Sequence, residues 1–213
     1  NYSLAELKSF IKKVDEAGFQ VSVHIIGDSA DAETLKAFEE TLGKNVVAKH
    51  RHRVEHASVL NPGLIERIGK LGLLVCVQPH FVVSDFWLCD RLGSRRARWA
   101  YPFESLIKRR VLLAGSSDAP AEMLNPLLGI WAAVTRKSSP QERLSVQEAL
   151  ELYTINAAYF SFEEDSKGSI EIGKLADLTV LSDNPLEVEP DRIKDIKVEM
   201  TIVGGKVVHS TMK

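Results

Sequence analysis

Apolar residues in the first two thirds of the chain follow two alternating patterns. Short apolar runs of the kind found in buried strands cover residues 19–26, 53–57, 73–77 and 111–114. Segments whose apolar residues have helical spacing lie before, between and after these runs. They cover residues 4–17, 32–42, 62–71, 103–109 and 126–136. Strands that alternate with helices indicate a parallel sheet with right-handed crossovers, so we predict an α/β fold.

The pattern changes after about residue 140. One helix is predicted over residues 145–159, with Ser145 and Glu148 placed as a capping box. Short strands follow at residues 176–181, 198–203 and 206–208, the last two joined by a Gly204-Gly205 turn. We therefore predict two domains, an α/β part at residues 1–160 and a small antiparallel β unit at residues 161–213.

The composition of the chain argues against a few classes of protein. The chain has 213 residues, 45% of them apolar, and a formal net charge of −2. Such a balance favours neither nucleic acid nor an anionic membrane as a partner. Two basic clusters, at residues 95–98 and 108–110, are weak support for a nucleic-acid module. No apolar stretch of membrane-spanning length occurs, so a cytoplasmic protein is expected.

A His or an Asp lies at the end of each of three predicted strands. The residues are His24, His56 and Asp118, each at the start of a loop. Because the carboxyl ends of parallel strands share one edge of a sheet, these side chains are expected to converge as metal ligands. Taken singly, each has an ordinary alternative: a strand-end His is often structural, and an Asp after Gly-Ser-Ser often forms a turn.

Other polar residues are ambiguous. His50 and His52 form a His-x-His, but they precede the strand that carries His56, so we expect them at the opposite end of the sheet as a decoy. His80 follows the third strand and is a candidate substrate contact, with loop packing as the alternative. Arg98 lies in a loop expected over residues 79–99 and is a candidate carboxylate-binding residue. Its alternative is a solvated surface position.

Several segments in order resemble the amidohydrolase superfamily. They are His24-Ile25-Ile26-Gly27-Asp28, Arg53-Val54-Glu55-His56-Ala57, Val77-Gln78-Pro79-His80-Phe81 and Gly115-Ser116-Ser117-Asp118-Ala119-Pro120. Within the superfamily they are most similar to the family 3 branch of metal-dependent hydrolases. The tail agrees, with Gly173-Lys174-Leu175-Ala176-Asp177 and Val203-Gly204-Gly205-Lys206 resembling the region where the chain of such enzymes returns to a small β domain.

The resemblance implies a fold, a cofactor and a reaction. The family fold is a (β/α)8 barrel of the TIM type, and its members hydrolyse C–N bonds with metal-activated water at one or two divalent metals, usually zinc. Residue by residue, His24, His56 and Asp118 would be the ligands after the fifth, sixth and eighth strands, and Asp118 would also take a proton from the attacking water. Asp28 and Glu55 would be supporting positions. A small molecule is the expected substrate.

The chain also departs from the family pattern. A His-x-His after the first strand and a lysine or glutamate after the fourth have no counterpart, since only one helix precedes residue 19. We therefore expect the C-terminal half of the barrel with its β unit. The first residue, Asn1, agrees with an excised chain, which we expect to be a poor catalyst or inactive alone. Homo-oligomerisation would cover the open half-barrel. The alternative is a non-catalytic remnant that serves as a folded or oligomerising module.

Overall fold

The computed structural model describes residues 2–43 and 50–211, which form two compact units. The first unit comprises the chain up to Gln78 together with Ser84–Leu113. The second comprises Pro79–Val83 together with the chain from Ala114 onward. The boundary expected after residue 160 falls inside the second unit, and it remains a prediction about domains.

The described elements alternate as the sequence predicts through the first half of the chain. In chain order they are α1 (Leu4–Glu16), β1 (Ser22–Ile25), α2 (Asp28–Leu42), β2 (Arg53–His56), α3 (Pro62–Leu71), β3 (Leu74–Val77), α4 (Phe81–Ser84), α5 (Leu88–Ala97), α6 (Phe103–Lys108), β4 (Leu113–Gly115), α7 (Pro126–Thr135), α8 (Val146–Glu151), α9 (Ile155–Phe160), β5 (Leu178–Leu181), β6 (Val198–Val203) and β7 (Lys206–Ser210). Short 3₁₀ helices lie at Pro140–Glu142 and Pro190–Asp195.

Strands β1, β2 and β3 of the first unit belong to a parallel sheet. Its strand order is β1-β2-β3-β4, and β1 and β3 both pair in parallel with β2. The Val75 N–H donates to the Leu112 carbonyl oxygen at the entry to β4. Val54 and Val75 at the centre are fully buried, as is Phe38 of α2. The observed fold is therefore α/β with a parallel sheet, as the apolar pattern predicts.

The helices in this unit begin and end at residues that cap them. Ser3 and Glu6 form the predicted capping box of α1. Asn61 accepts hydrogen bonds from two N–H groups at the start of α3, and Gly72 ends that helix in the left-handed conformation, at φ 59°. These signals lie within four residues of the helix end, which is why the sequence reveals them.

The second unit contains helices and an antiparallel sheet. Strands β5, β6 and β7 lie in that order with antiparallel pairing on both sides of β6. Gly204 and Gly205 make the predicted turn, both with positive φ. The antiparallel strands and the turn predicted from the sequence are therefore present, and their separation as a small β unit remains a prediction.

Three local predictions are wrong. Residues 145–159 form two helices, because the Leu152 carbonyl oxygen accepts from the Gly115 N–H at 2.9 Å instead of continuing a helix. Helix α2 begins at Asp28, four residues early, since Gly27 allows the entry at φ 97° and acidic residues suit a helix N-terminus. The loop expected over residues 79–99 contains α4 and α5, which bury no side chain fully and so lack an apolar stripe.

Among the described residues, no helix combines the length and apolarity needed to cross a membrane. That finding agrees with the hydropathy of the sequence.

Candidate metal centre

Two of the predicted ligands meet at the carboxyl ends of neighbouring strands. In the parallel register Ile25 pairs with His56, and the Ala57 N–H donates to the Ile25 carbonyl oxygen. This register brings His56 Nε2 to 3.1 Å from His24 Nδ1, with the rings edge to face at a centroid distance of 4.5 Å. The sequence prediction that these two histidines converge is met.

The backbone at the predicted ligand positions is held in an uncommon conformation. His56 and Ala57 have φ values of +70° and +46°, and Asp118 has φ +53°. Left-handed φ outside glycine costs of order 1–3 kcal/mol for each residue, and such residues concentrate at functional sites. All three lie at predicted ligand positions or directly beside one.

The donor set of the pair suits a transition metal such as zinc. Imidazole nitrogens are preferred zinc ligands, and two nitrogens bound tetrahedrally to one zinc ion would be about 3.3 Å apart. The nitrogens of His24 and His56 lie at 3.1 Å, which is close to that separation. Across residues 2–43 and 50–211, no group of three or more His, Cys, Asp or Glu side chains is gathered closely enough to hold a metal ion. The structure therefore brings together two of the three residues predicted as ligands, and metal ligation by them remains a prediction.

Asp118, the third predicted ligand, belongs to the second unit. It is exposed on the loop between β4 and α7, where its carbonyl oxygen accepts from the Ala121 N–H at 2.8 Å. The turn explains part of the Gly-Ser-Ser-Asp signal in the sequence. Metal ligation by Asp118 remains a prediction.

His80 is also in the second unit and has a carboxylate partner that the sequence did not reveal. Its Nδ1 lies 2.7 Å from Glu122 Oε2, and both side chains are largely buried. The Trp131 ring is close by, at 6.4 Å between centroids. Glu122 is 42 residues from His80 in sequence, and no local pattern links the two.

The arginines near α5 have different surroundings. Arg98, the predicted carboxylate-binding residue, lies over the Trp99 ring at 5.5 Å. Arg96 binds the Asp28 carboxylate through two nitrogens, at 2.6 and 3.0 Å. Asp28 therefore acts as a supporting residue at the start of α2, whereas substrate binding by Arg98 remains a prediction.

Glu55, the other predicted supporting residue, is hydrogen-bonded within the pair of strands β1 and β2. Its Oε1 accepts from Arg53 Nε at 2.8 Å and from Ser22 Oγ at 2.6 Å. The bond from Ser22 joins β1 to β2, one residue before His56, and the bond from Arg53 lies within β2. Glu55 therefore has a structural role.

His50 and His52 serve structure at the start of β2, as predicted. The Val21 N–H donates to His52 Nδ1, and His52 Nε2 lies 3.1 Å from Asp15 Oδ1. His50 Nδ1 accepts from the His52 N–H, and His50 Nε2 contacts the Leu71 carbonyl oxygen. Burial lowers the pKa of both imidazoles, which favours the neutral forms that these bonds require.

Asp31 is a buried carboxyl that the sequence analysis did not select. It lies in the first turn of α2, fully buried, and neither carboxyl oxygen has a hydrogen-bond partner within the described residues. Burial, and then the charge of Asp28, raise the pKa of Asp31 to about 8. The carboxyl is therefore mostly neutral at pH 7.

A cavity of about 640 Å³ lies within the second unit. It is lined mainly by apolar side chains of α7 and of the β5–β6 region, such as Leu127, Ile130 and Leu178. None of the predicted site residues lines it. This cavity is separate from the chemistry considered above.

Known proteins match the chain along almost its whole length. The model of the amidohydrolase family matches residues 1–209. YtcJ of Bacillus subtilis (strain 168), named as a candidate amidohydrolase, is 41% identical over 95% of this chain and 40% of its own. N-substituted formamide deformylase of Arthrobacter pascens is 28% identical over 96% of this chain and 39% of its own.

A solved structure agrees with these sequence matches. An uncharacterized metal-dependent hydrolase from Pyrococcus horikoshii OT3 superposes with a TM-score of 0.79 and 33% identity. The match covers 89% of this chain and 39% of that one. The chain thus spans about 40% of the length of the relatives described here.

Proposed function

We propose, from the premise that this chain belongs to the amidohydrolase family, that it contributes the C-terminal part of a metal-dependent hydrolase site. The observation that carries the proposal is the meeting of His24 and His56 at two adjacent strand ends, with nitrogens 3.1 Å apart. Strand ends on the carboxyl side of a parallel sheet are where barrel enzymes assemble their active sites.

The proposed fold of the whole protein is a (β/α)8 barrel. Strands β1 to β4 would be its fifth to eighth strands, and β5 to β7 would belong to a small domain beside it. The parallel order β1-β2-β3 and the length of the relatives support this assignment.

His24, His56 and Asp118 are the proposed metal ligands, and zinc is the proposed metal. When bound, a divalent metal supplies Lewis acidity toward the scissile carbonyl and lowers the pKa of water in the site. The two imidazoles bind as neutral ligands, so each must be free of a proton on the ligating nitrogen. Asp118 is the proposed base that accepts the proton of the attacking water.

The proposed substrate is a small molecule with an amide-like C–N bond. The name of the Arthrobacter relative, a deformylase of N-substituted formamides, supports this class. His80 and Arg98 are the proposed substrate-binding residues, since each combines a polar group with a neighbouring aromatic ring.

Hydrolysis of an N-alkylformamide by the zinc-loaded chain tests this proposal. We expect slow release of amine that stops when zinc is chelated, because part of the family's ligand set has no counterpart in this sequence. Asp118→Asn should lower the rate at least about a hundredfold, the lower range for loss of a general base, while Asp165→Asn, an exposed control in the second unit, should not.

The same assay distinguishes the proposed hydrolase from the alternative, a non-catalytic remnant. If Asp118→Asn hydrolyses as fast as the wild type, or if amine is released as fast after zinc is chelated, the proposed hydrolase role is contradicted. A chain that binds zinc without turnover would favour a non-catalytic remnant.

A further inference from the structure

The contact between His80 and Glu122 joins two segments of the second unit. His80 lies three residues after the end of β3, and Glu122 lies on the loop that carries Asp118. Their atoms Nδ1 and Oε2 are 2.7 Å apart, a short distance that is typical of a hydrogen bond to a charged group. Side-chain exposure is only 12% for Glu122, so water screens the contact weakly.

The contact determines which nitrogen of His80 carries the proton. A carboxylate only accepts hydrogen bonds, so Nδ1 must hold the hydrogen. In a neutral imidazole the other nitrogen, Nε2, then has a free lone pair. No group of the described chain is hydrogen-bonded to His80 Nε2, and the ring is 23% exposed. His80 therefore presents a hydrogen-bond acceptor to its surroundings.

We propose that Glu122 is a positioning residue that keeps His80 in the Nδ1–H form, so that Nε2 accepts a hydrogen bond from a substrate N–H group. This inference rests on the proposed function and refines its substrate class. The preferred substrates are amides that retain an N–H, because a fully substituted amide nitrogen offers no donor to the Nε2 lone pair.

The groups around His80 and Glu122 support the placement of the imidazole proton on Nδ1. Trp131 forms an apolar wall beside the imidazole, at 6.4 Å between ring centroids. The Ala121 N–H donates to the Asp118 carbonyl oxygen and closes a turn at the base of the Glu122 segment. The carboxylate is therefore fixed by both the turn and the imidazole, which is the arrangement that orients a histidine in carboxylate–histidine pairs.

Two-bond ¹H–¹⁵N correlation spectra of the metal-free chain test the tautomer directly. At alkaline pH, where imidazoles are neutral, we expect the His80 spectrum to show hydrogen on Nδ1. Glu122→Ala should move it to Nε2, the form that free imidazole side chains prefer. Glu187→Ala, an exposed control in the same unit, should leave it on Nδ1. Hydrogen on Nε2 in the wild type, or an unchanged tautomer in Glu122→Ala, would overturn the inference.

Kinetics of the zinc-loaded chain test the substrate class. For an N-alkylformamide, Glu122→Ala should lower kcat/KM roughly tenfold, the effect of one hydrogen bond, while its N-methylated analogue should change less than twofold. Equal losses on both substrates would contradict the specificity role. If the wild type hydrolyses neither substrate, the tautomer spectra alone decide whether Glu122 positions His80.

Discussion

At the scale of single residues, His24 and His56 differ in burial although their imidazoles touch. His56, the last residue of β2, is 5% exposed, whereas His24 is exposed. The buried ring is fixed by packing, and the exposed ring leaves a path for an ion from solvent. Such a pair is partly preorganised, which lowers the entropy lost when a metal binds.

Asp31 gives a prediction about stability and pH. Its pKa is about 8 in the folded state against an ordinary value of 3.8, so between these values the folded state binds more protons than the unfolded state. The contribution of Asp31 to the free energy of unfolding should therefore fall as pH rises from about 4 to about 8, by up to about 1.4 kcal/mol for each pH unit. Urea unfolding at several pH values measures this slope.

The matched variant isolates the carboxyl. Asp31→Asn removes the titrating group with little change of shape, so the free energy of unfolding of the wild type should fall relative to that of the variant as pH rises over this range. Asp165→Asn, an exposed control, should keep the wild-type slope. A variant at position 31 with the wild-type slope would show that Asp31 does not titrate in this way.

The sequence reveals some of these residues and not others. His24 and His56 were predictable because each lies at the end of an apolar run, and parallel pairing then brings them together. Glu122 and Arg96 were not, because their partners His80 and Asp28 are 42 and 68 residues away. Asp31 was missed because burial of an unpaired carboxyl depends on how α2 packs.

At the scale of elements, local signals predict where helices begin and end, and long-range contacts decide where they break. The capping boxes at Ser3 and Ser145 are both present in the structure. The break between α8 and α9 depends on a bond from the Gly115 N–H to the Leu152 carbonyl oxygen, 37 residues away. No pattern within residues 145–159 records that bond.

Gly129 in α7 gives a prediction about packing between helices. A Cβ added at Gly129 would lie 2.0 Å from the Tyr153 hydroxyl oxygen. Alanine normally stabilises a helix relative to glycine, by roughly 0.5–1 kcal/mol. Here Gly129→Ala should instead lower the free energy of unfolding by about 1–3 kcal/mol, the typical cost of overpacking, measured by chemical denaturation.

A second substitution checks the cause. Tyr153→Phe removes the hydroxyl oxygen nearest to the added methyl group, while the Cζ contact at 2.9 Å remains. The cost of Gly129→Ala should therefore be smaller in the Tyr153→Phe background, as a double-mutant cycle measures. An equal cost in both backgrounds would assign the glycine to another role.

At the scale of the whole molecule, exposed apolar side chains favour self-association. Strand β7 is last in the order of its described sheet, and all of its residues are exposed, including Val207 and Val208. Unprotected strand edges pair readily with other chains. Sedimentation velocity should show association that increases with concentration.

A charge on the edge should weaken this association. Val207→Lys should shift the chain toward monomer, whereas Leu186→Lys, at an exposed loop position, should leave the distribution unchanged. A wild type that stays monomeric at all concentrations would contradict the homo-oligomer that we expect.

The measurement that tests the central claim most directly is the zinc content of the purified chain, by plasma mass spectrometry after dialysis. The account predicts close to one zinc per chain, lost in His56→Ala and kept in His209→Ala, whose histidine is exposed on β7. Loss in the first variant alone would assign the metal to the histidine pair. A wild type without zinc, or zinc retained in His56→Ala, would contradict the metal centre on which the proposed function rests.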